Sequence, residues 1–234
     1  MSRRIRIAVI NPNTTRSMTD TVLASAIRVV RPDTDLVGIT CGEGVAAVES
    51  HIDEAIAAAN VVTEVERAEA GTHPPDAYVI ACFGDTGLAA AREAATGPVV
   101  GMTEAALMTA ALLAYRFTVI TMPRRTIEQS DRVIRSLGLE HRCTVRAIDE
   151  PVGAVALGSL HLLENFIDEA RYAMTHEASE AVILGCAGLA DLVGPVQARL
   201  GLPVIEGVAA AVAIAEGLVA QQLLTSRVGT WARP

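Results

Sequence analysis

The 234-residue sequence predicts an α/β fold built on buried, mainly parallel sheet. Two observations carry this. Short apolar runs alternate with segments of helical period along the whole chain, as strands covered by helices on both faces require. One layout also occurs twice, about half the chain apart. VIACFGDTGLAAARE (79–93) and AVILGCAGLADL (181–192) each pass from an apolar run through Cys-x-Gly into a helical pattern. The repetition hints at internal duplication, which divides the chain into two similar lobes. Short apolar runs are common, so undivided sheet fits the same pattern.

The elements follow in order. Arg6–Ile10 is an apolar strand ended by Asn11-Pro12-Asn13. Ser17–Val30 is a helix with apolar Met18, Val22, Ile27 and Val30. Asp35–Thr40 is a strand and Val48–Ala68 a helix. His73-Pro74-Pro75 turns the chain into strand Tyr78–Ala81. A short helix, Leu88–Ala95, leads to strand Val99–Gly101, and a helix over Thr103–Ala114 follows. Phe117–Thr121 is a strand, Thr126–Leu137 a helix, and Thr144–Ala147 a strand. His161–His176 is a helix, Ala181–Leu184 a strand, Asp191–Leu200 a helix, Val204–Ile205 a strand, and Val208–Leu224 the last helix.

Composition narrows the function. A net charge of −8 argues against nucleic acid and anionic membrane as partners. No apolar run approaches the ~20 residues of a membrane span, and the N-terminal apolar run is too short for a signal peptide. A cytoplasmic protein with free thiols is expected. All 19 basic residues are arginine. Without lysine there is no Schiff base for pyridoxal phosphate and no P-loop. The four cysteines form no Cys-x-x-Cys pair, so no metal site is expected.

Cys41 and Cys143 read as small buried hydrophobes. Cys82 and Cys186 differ, because each ends a strand and has glycine two residues on. Gly84 and Gly188 permit close approach of a ligand. A following helix N-terminus is expected to lower the thiol pKa from its free value of ~8.5, and burial to oppose that. One activated cysteine suggests a nucleophile, which wants a histidine partner. His51, His73, His141, His161 and His176 have polar neighbours and no motif context. Two cysteines facing across a lobe interface suggest two-base racemisation, with one removing a carbon-bound proton and the other supplying one to the opposite face. Gly42–Ala47 matches G-x-G-x-x-A, a weak dinucleotide signal that follows the second strand rather than the first. The Asn and Thr residues of NPNTTRSMTD suit a helix N-cap or an anion site.

Taken together, INPNTTRSMTD, ACFGDTGLAAARE, PVVGMTEAA, RFTVIT, ILGCAGLADL and PVIEGVAAAVAIAE resemble the hydantoin racemases of the aspartate/glutamate/hydantoin racemase superfamily, with allantoin racemases as close relatives. The matches run in order over nearly the whole chain. The resemblance implies two α/β lobes related by a pseudo-two-fold, residues 1–98 plus 207–234 and residues 99–206, with the site between them. It implies racemisation without cofactor or metal, Cys82 and Cys186 acting at C5 of a 5-monosubstituted hydantoin or related cyclic ureide in a homo-oligomer. Backbone N–H groups of Phe83, Gly84, Asp85, Ala187 and Gly188, with Asn13, Thr14 and Thr121, are then expected to hold the substrate. Thr86 stands where the family usually has proline, Glu206 where aspartate is usual. Ala47–Glu54 lacks the family's serine and tyrosine, and apolar Val45, Ala46, Ala47 and Ile52 are expected to line the pocket. Allantoin racemase, maleate isomerase, arylmalonate decarboxylase and a non-catalytic binding protein are the alternatives.

Overall fold

The computed structural model describes residues 4–232. The first half runs β1 (Arg6–Asn11), α1 (Arg16–Ile27), β2 (Asp35–Thr40), α2 (His51–Glu69), β3 (Ala77–Ile80), α3 (Leu88–Ala94), β4 (Val99–Gly101) and α4 (Met102–Leu113). The second runs β5 (Phe117–Thr121), α5 (Ile127–Ser136), β6 (Cys143–Ala147), α6 (Leu163–His176), β7 (Ala181–Gly185), α7 (Val193–Leu200), β8 (Val204–Glu206) and α8 (Gly207–Ala220). Two four-stranded sheets result, ordered β2-β1-β3-β4 and β6-β5-β7-β8. Every pairing is parallel. The fold is therefore α/β with two lobes, and the matching strand orders are what a duplicated sequence gives.

Burial explains the sequence pattern. The central strands β1, β3, β5 and β7 are buried almost throughout, whereas the edge strands β2 and β6 are half-buried. Strands covered on both faces have no polar alternation, hence the continuous runs of Ile, Val and Ala. Each large aliphatic side chain removed from water there contributes ~1.5–3 kcal/mol.

Val99–Gly101, expected to open the second lobe, is the fourth strand of the first sheet, paired with β3. The two helices that follow the last strands are exchanged. From α8, Val208, Ala211, Val212 and Ala215 pack with Ile7, Val9 and Val79 of the first sheet. From α4, Ala106, Leu107 and Ala110 pack with Phe117, Val119 and Ile183 of the second. Small residues let these helices approach closely: a Cβ on Gly207 would lie 2.6 Å from the Met102 carbonyl oxygen.

Helix ends follow local chemistry. Ser50 and Asp53 form a capping box, so α2 starts at His51 rather than Val48. Gln222 takes φ +59°, which stops α8 at Ala220 short of the expected Leu224. The helix expected from Asp191 is a 3₁₀ turn over Ala187–Leu192 that becomes α7 at Val193.

Candidate active site

The carboxyl ends of the central strands of both sheets open on one cleft, the edge at which parallel α/β sheets bind ligands. Asn11 and Thr121 end β1 and β5. Cys82 follows β3 and Cys186 follows β7, the strand in the same slot of the second sheet. Both cysteines line the cleft. Asn13, Phe83, Thr121, Ala187 and Gly188 also line it. Cys41 and Cys143 are buried and do not line it. Among the described residues no histidine lines it, and no three His, Cys, Asp or Glu side chains gather as a metal set.

The thiols are not acidified. Burial pushes Cys82 up to about 12, against a hydrogen bond from Thr86 Oγ1 to Sγ at 3.5 Å that favours the thiolate. Burial likewise pushes Cys186 up to about 11, against the Gly188 N–H that points at its sulfur. The expected help from helix N-termini is uneven. After Cys186 the chain turns straight into its 3₁₀ segment, but after Cys82 helix α3 begins only at Leu88. Desolvation of the charged form therefore outweighs the local donors at both sulfurs.

Three expected binding residues have other work. Asp85 is buried, with φ +53°, and its carboxylate accepts the Thr103 N–H at 2.8 Å and the Glu104 N–H at 2.9 Å. It holds the first turn of α4, and burial raises its carboxyl to about 7. Gly84 donates its N–H to Thr103 Oγ1 at 2.7 Å, and the Asp85 N–H goes to the Cys82 carbonyl. Thr14 bonds the Val45 carbonyl through both its N–H and its hydroxyl. Phe83 and Ala187, each next after a cysteine, keep N–H groups with no acceptor among the described residues. Asp85→Ala should cost about 1–2 kcal/mol of stability, as loss of a helix cap does, read by thermal unfolding. An unchanged melting temperature would contradict the capping role.

The 42–47 loop is neither a dinucleotide site nor the pocket wall. No helix opens on it, since α2 begins at His51. Its Val45 and Ala46 carbonyls instead anchor Thr14 and Thr15. Val45, Ala46 and Ala47 do not line the cleft, Ile52 is 73% exposed, and Val48 is the nearby residue that does line it. The lobes are clasped close by. Glu54 on α2 takes Arg132 on α5 at 2.6 and 2.7 Å, and Glu49 accepts the Val152 N–H at 2.6 Å. Glu206 caps α8 through the N–H groups of Val208 and Ala209 and accepts Ser25 Oγ–H at 2.5 Å.

Sequence reasoning missed Met18, Val22, Val48, Thr126, Gln129, Ser130 and Val152 as cleft residues. Met18 and Val22 were visible as an apolar helical face. Nothing local marks Gln129 and Ser130 as inward-facing.

The comparisons with known proteins point one way. The sequence profile of the Asp/Glu/Hydantoin racemase family matches residues 7–215. A hydantoin racemase of Rhizobium meliloti is 39% identical over 98% of this chain and 95% of that protein. The solved allantoin racemase from Klebsiella pneumoniae superimposes with a TM-score of 0.94 at 41% identity, over 98% of this chain and 94% of that one. The allantoin racemase from Pseudomonas fluorescens gives 0.93 at 36% identity, over 98% and 97%. With a fold, a strand order and a matching profile that span nearly its whole length, the chain belongs to the Asp/Glu/Hydantoin racemase family and is an isomerase of the racemase type.

Proposed function

We propose that the protein racemises 5-monosubstituted hydantoins or related cyclic ureides at C5, without cofactor, using Cys82 and Cys186 on opposite faces of the ring. The observation that carries this is the equivalence of the two cysteines, set after matching strands of matching sheets and facing one cleft. One cysteine, as thiolate, takes the C5 proton, and the electron pair moves into the neighbouring carbonyl as an enolate. The other, as thiol, gives its proton to C5 from the far side. The sulfurs have then exchanged protonation states, and a turnover of the opposite enantiomer or proton exchange with solvent resets them. The N–H groups of Phe83 and Ala187 are the donors for the ring oxygens, with Asn13 beside them on the cleft wall. Thr121 shapes the wall, its hydroxyl being engaged with Thr126 and the Gly185 carbonyl.

The substrate preference rests on the wall. Met18, Val22, Val48 and Val152 give it an apolar portion, which favours an apolar C5 substituent at ~25 cal/mol per Å² buried. The test is loss of optical rotation from single-enantiomer 5-isobutylhydantoin, beside allantoin. The expected result is racemisation of the hydantoin with kcat/KM about tenfold above allantoin, a difference of only ~1.4 kcal/mol in the transition state. Faster turnover of allantoin would reverse the preference, and no rotation loss with either would end the reading. Activity should survive chelator and dialysis.

The same reading places the protein in a reducing, cytoplasmic setting, which keeps a pair of working thiols unbridged. All four cysteines are free, and no described helix is long and apolar enough to cross a membrane. Met108 and Leu112, one turn apart on α4 and 49% and 87% exposed, supply an apolar face for a homo-oligomer. Light scattering after gel filtration checks this, and a monomeric mass would contradict it.

A further inference from the structure

The polar groups of the cleft are nearly all committed to one another. Asn11 Nδ2 donates to Asn13 Oδ1, the Thr15 carbonyl and Thr19 Oγ1, and its own oxygen accepts the Asn13 N–H. Asn13 Oδ1 also accepts the Thr15 N–H, and its Nδ2 lies against Met18 Sδ. Thr126 Oγ1 donates to the Pro123 carbonyl and meets Thr121 Oγ1, and Ser130 donates to the Thr126 carbonyl. Gln129 is the exception. It is 5% exposed and lines the cleft, yet among the described residues its side-chain amide has no hydrogen-bond partner.

An amide so placed presents two donors and an acceptor to the cleft, and they are not among the buried orphan atoms of the described residues. A ligand that displaces water from them must make those hydrogen bonds itself, a demand an apolar side chain of the same shape would not impose. Its position is built as well. Gln129 sits on the first turn of α5 and reaches across to the Cys82 loop, where a Cβ on Gly84 would lie 3.3 Å from Gln129 Cβ and 3.6 Å from its Oε1. Gly84, held at φ +102°, leaves the space this side chain fills.

We infer that Gln129 is a specificity-determining residue that reads one N–H/C=O edge of the substrate ring, its Oε1 accepting the ring N–H while its Nε2 donates to the adjacent carbonyl oxygen. This rests on the cyclic-ureide reading above. A planar primary amide is complementary to a planar cis-amide edge, and both of its functions are unspent. A pocket fixes its ligand with a few such groups. The contact is made equally before and during proton transfer, so it belongs to binding more than to the chemical step.

The test uses Gln129→Met, which keeps length and removes both functions, with Gln129→Leu as a second variant should the first fold poorly. For 5-isobutylhydantoin the variant should raise KM about tenfold or more with kcat nearly unchanged. Without ligand its melting temperature should equal or exceed that of the wild type, which a merely structural glutamine would not allow. In the wild type, methylation at either ring N1 or N3 should cost about tenfold in kcat/KM at the nitrogen that is read, and in Gln129→Met that cost should largely vanish. An unchanged KM, or a methyl cost that persists in the variant, overturns the assignment and leaves the racemase reading standing. If the wild type neither racemises hydantoins nor binds 5,5-dimethylhydantoin by calorimetry, the ureide reading itself fails and takes this inference with it.

Discussion

Cys82→Ser and Cys186→Ser should each lower racemisation by about 10³-fold or more, while the protein stays folded. A positioned acid or base contributes roughly 10²–10⁴-fold, and here one substitution removes a base for one enantiomer and an acid for the other. A serine hydroxyl ionises far less readily than even a buried thiol. Both cysteines lie on the cleft wall, and although Cys186 also belongs to a core cluster, the exchange of sulfur for a single oxygen removes little packing. Polarimetry measures the loss. Exchange of the C5 proton in deuterated water separates the steps, since one base suffices for it. Each single variant should therefore keep exchange with one enantiomer. Cys41→Ser and Cys143→Ser, buried elsewhere, should keep near-normal rates. Wild-type racemisation in either cleft variant would end the two-thiol mechanism.

Activity should climb steeply with pH, by about tenfold in kcat/KM per unit between roughly pH 7 and pH 9. Burial holds Cys82 at about 12 and Cys186 at about 11. Across that window the pair rests doubly protonated, and the fraction carrying one thiolate grows tenfold with each unit. The rising limb belongs to the pair rather than to either sulfur. Thr86→Val removes the hydrogen bond that favours the Cys82 thiolate. The limb should move to higher pH and activity at pH 8 should fall, with recovery in stronger base. A plateau already reached near pH 7 would contradict the raised thiols. An unmoved limb in Thr86→Val would contradict the role of that hydroxyl.

What was legible in the sequence was what short-range pattern encodes. Val79–Ile80 and Ile183–Leu184 read as buried strands because both faces of a parallel strand are covered. Cys82 and Cys186 stood out because a cysteine that opens Cys-x-Gly at a strand end breaks the apolar run at the edge where ligands bind. The rest depends on what lies across from a residue. Val99–Gly101 has the same composition in either sheet, and only its hydrogen bonds to β3 decide which it joins. Asp85 looks like a loop carboxylate until Thr103 and Glu104 are seen to turn their N–H groups to it. Gln129 lies in a polar stretch of α5, and its inward aim is set by the facing lobe. For the thiols both opposing effects were legible, helix ends that favour the thiolate and burial that opposes it, but which of them wins depends on what packs around each sulfur.

The exchange of α4 and α8 makes neither half of the chain complete without the other. A polypeptide holding only the first half would end in a helix that fits the other sheet, and one face of its own sheet would stand bare. Two such polypeptides would complete each other by trading their last helices, with one cysteine from each meeting in the middle.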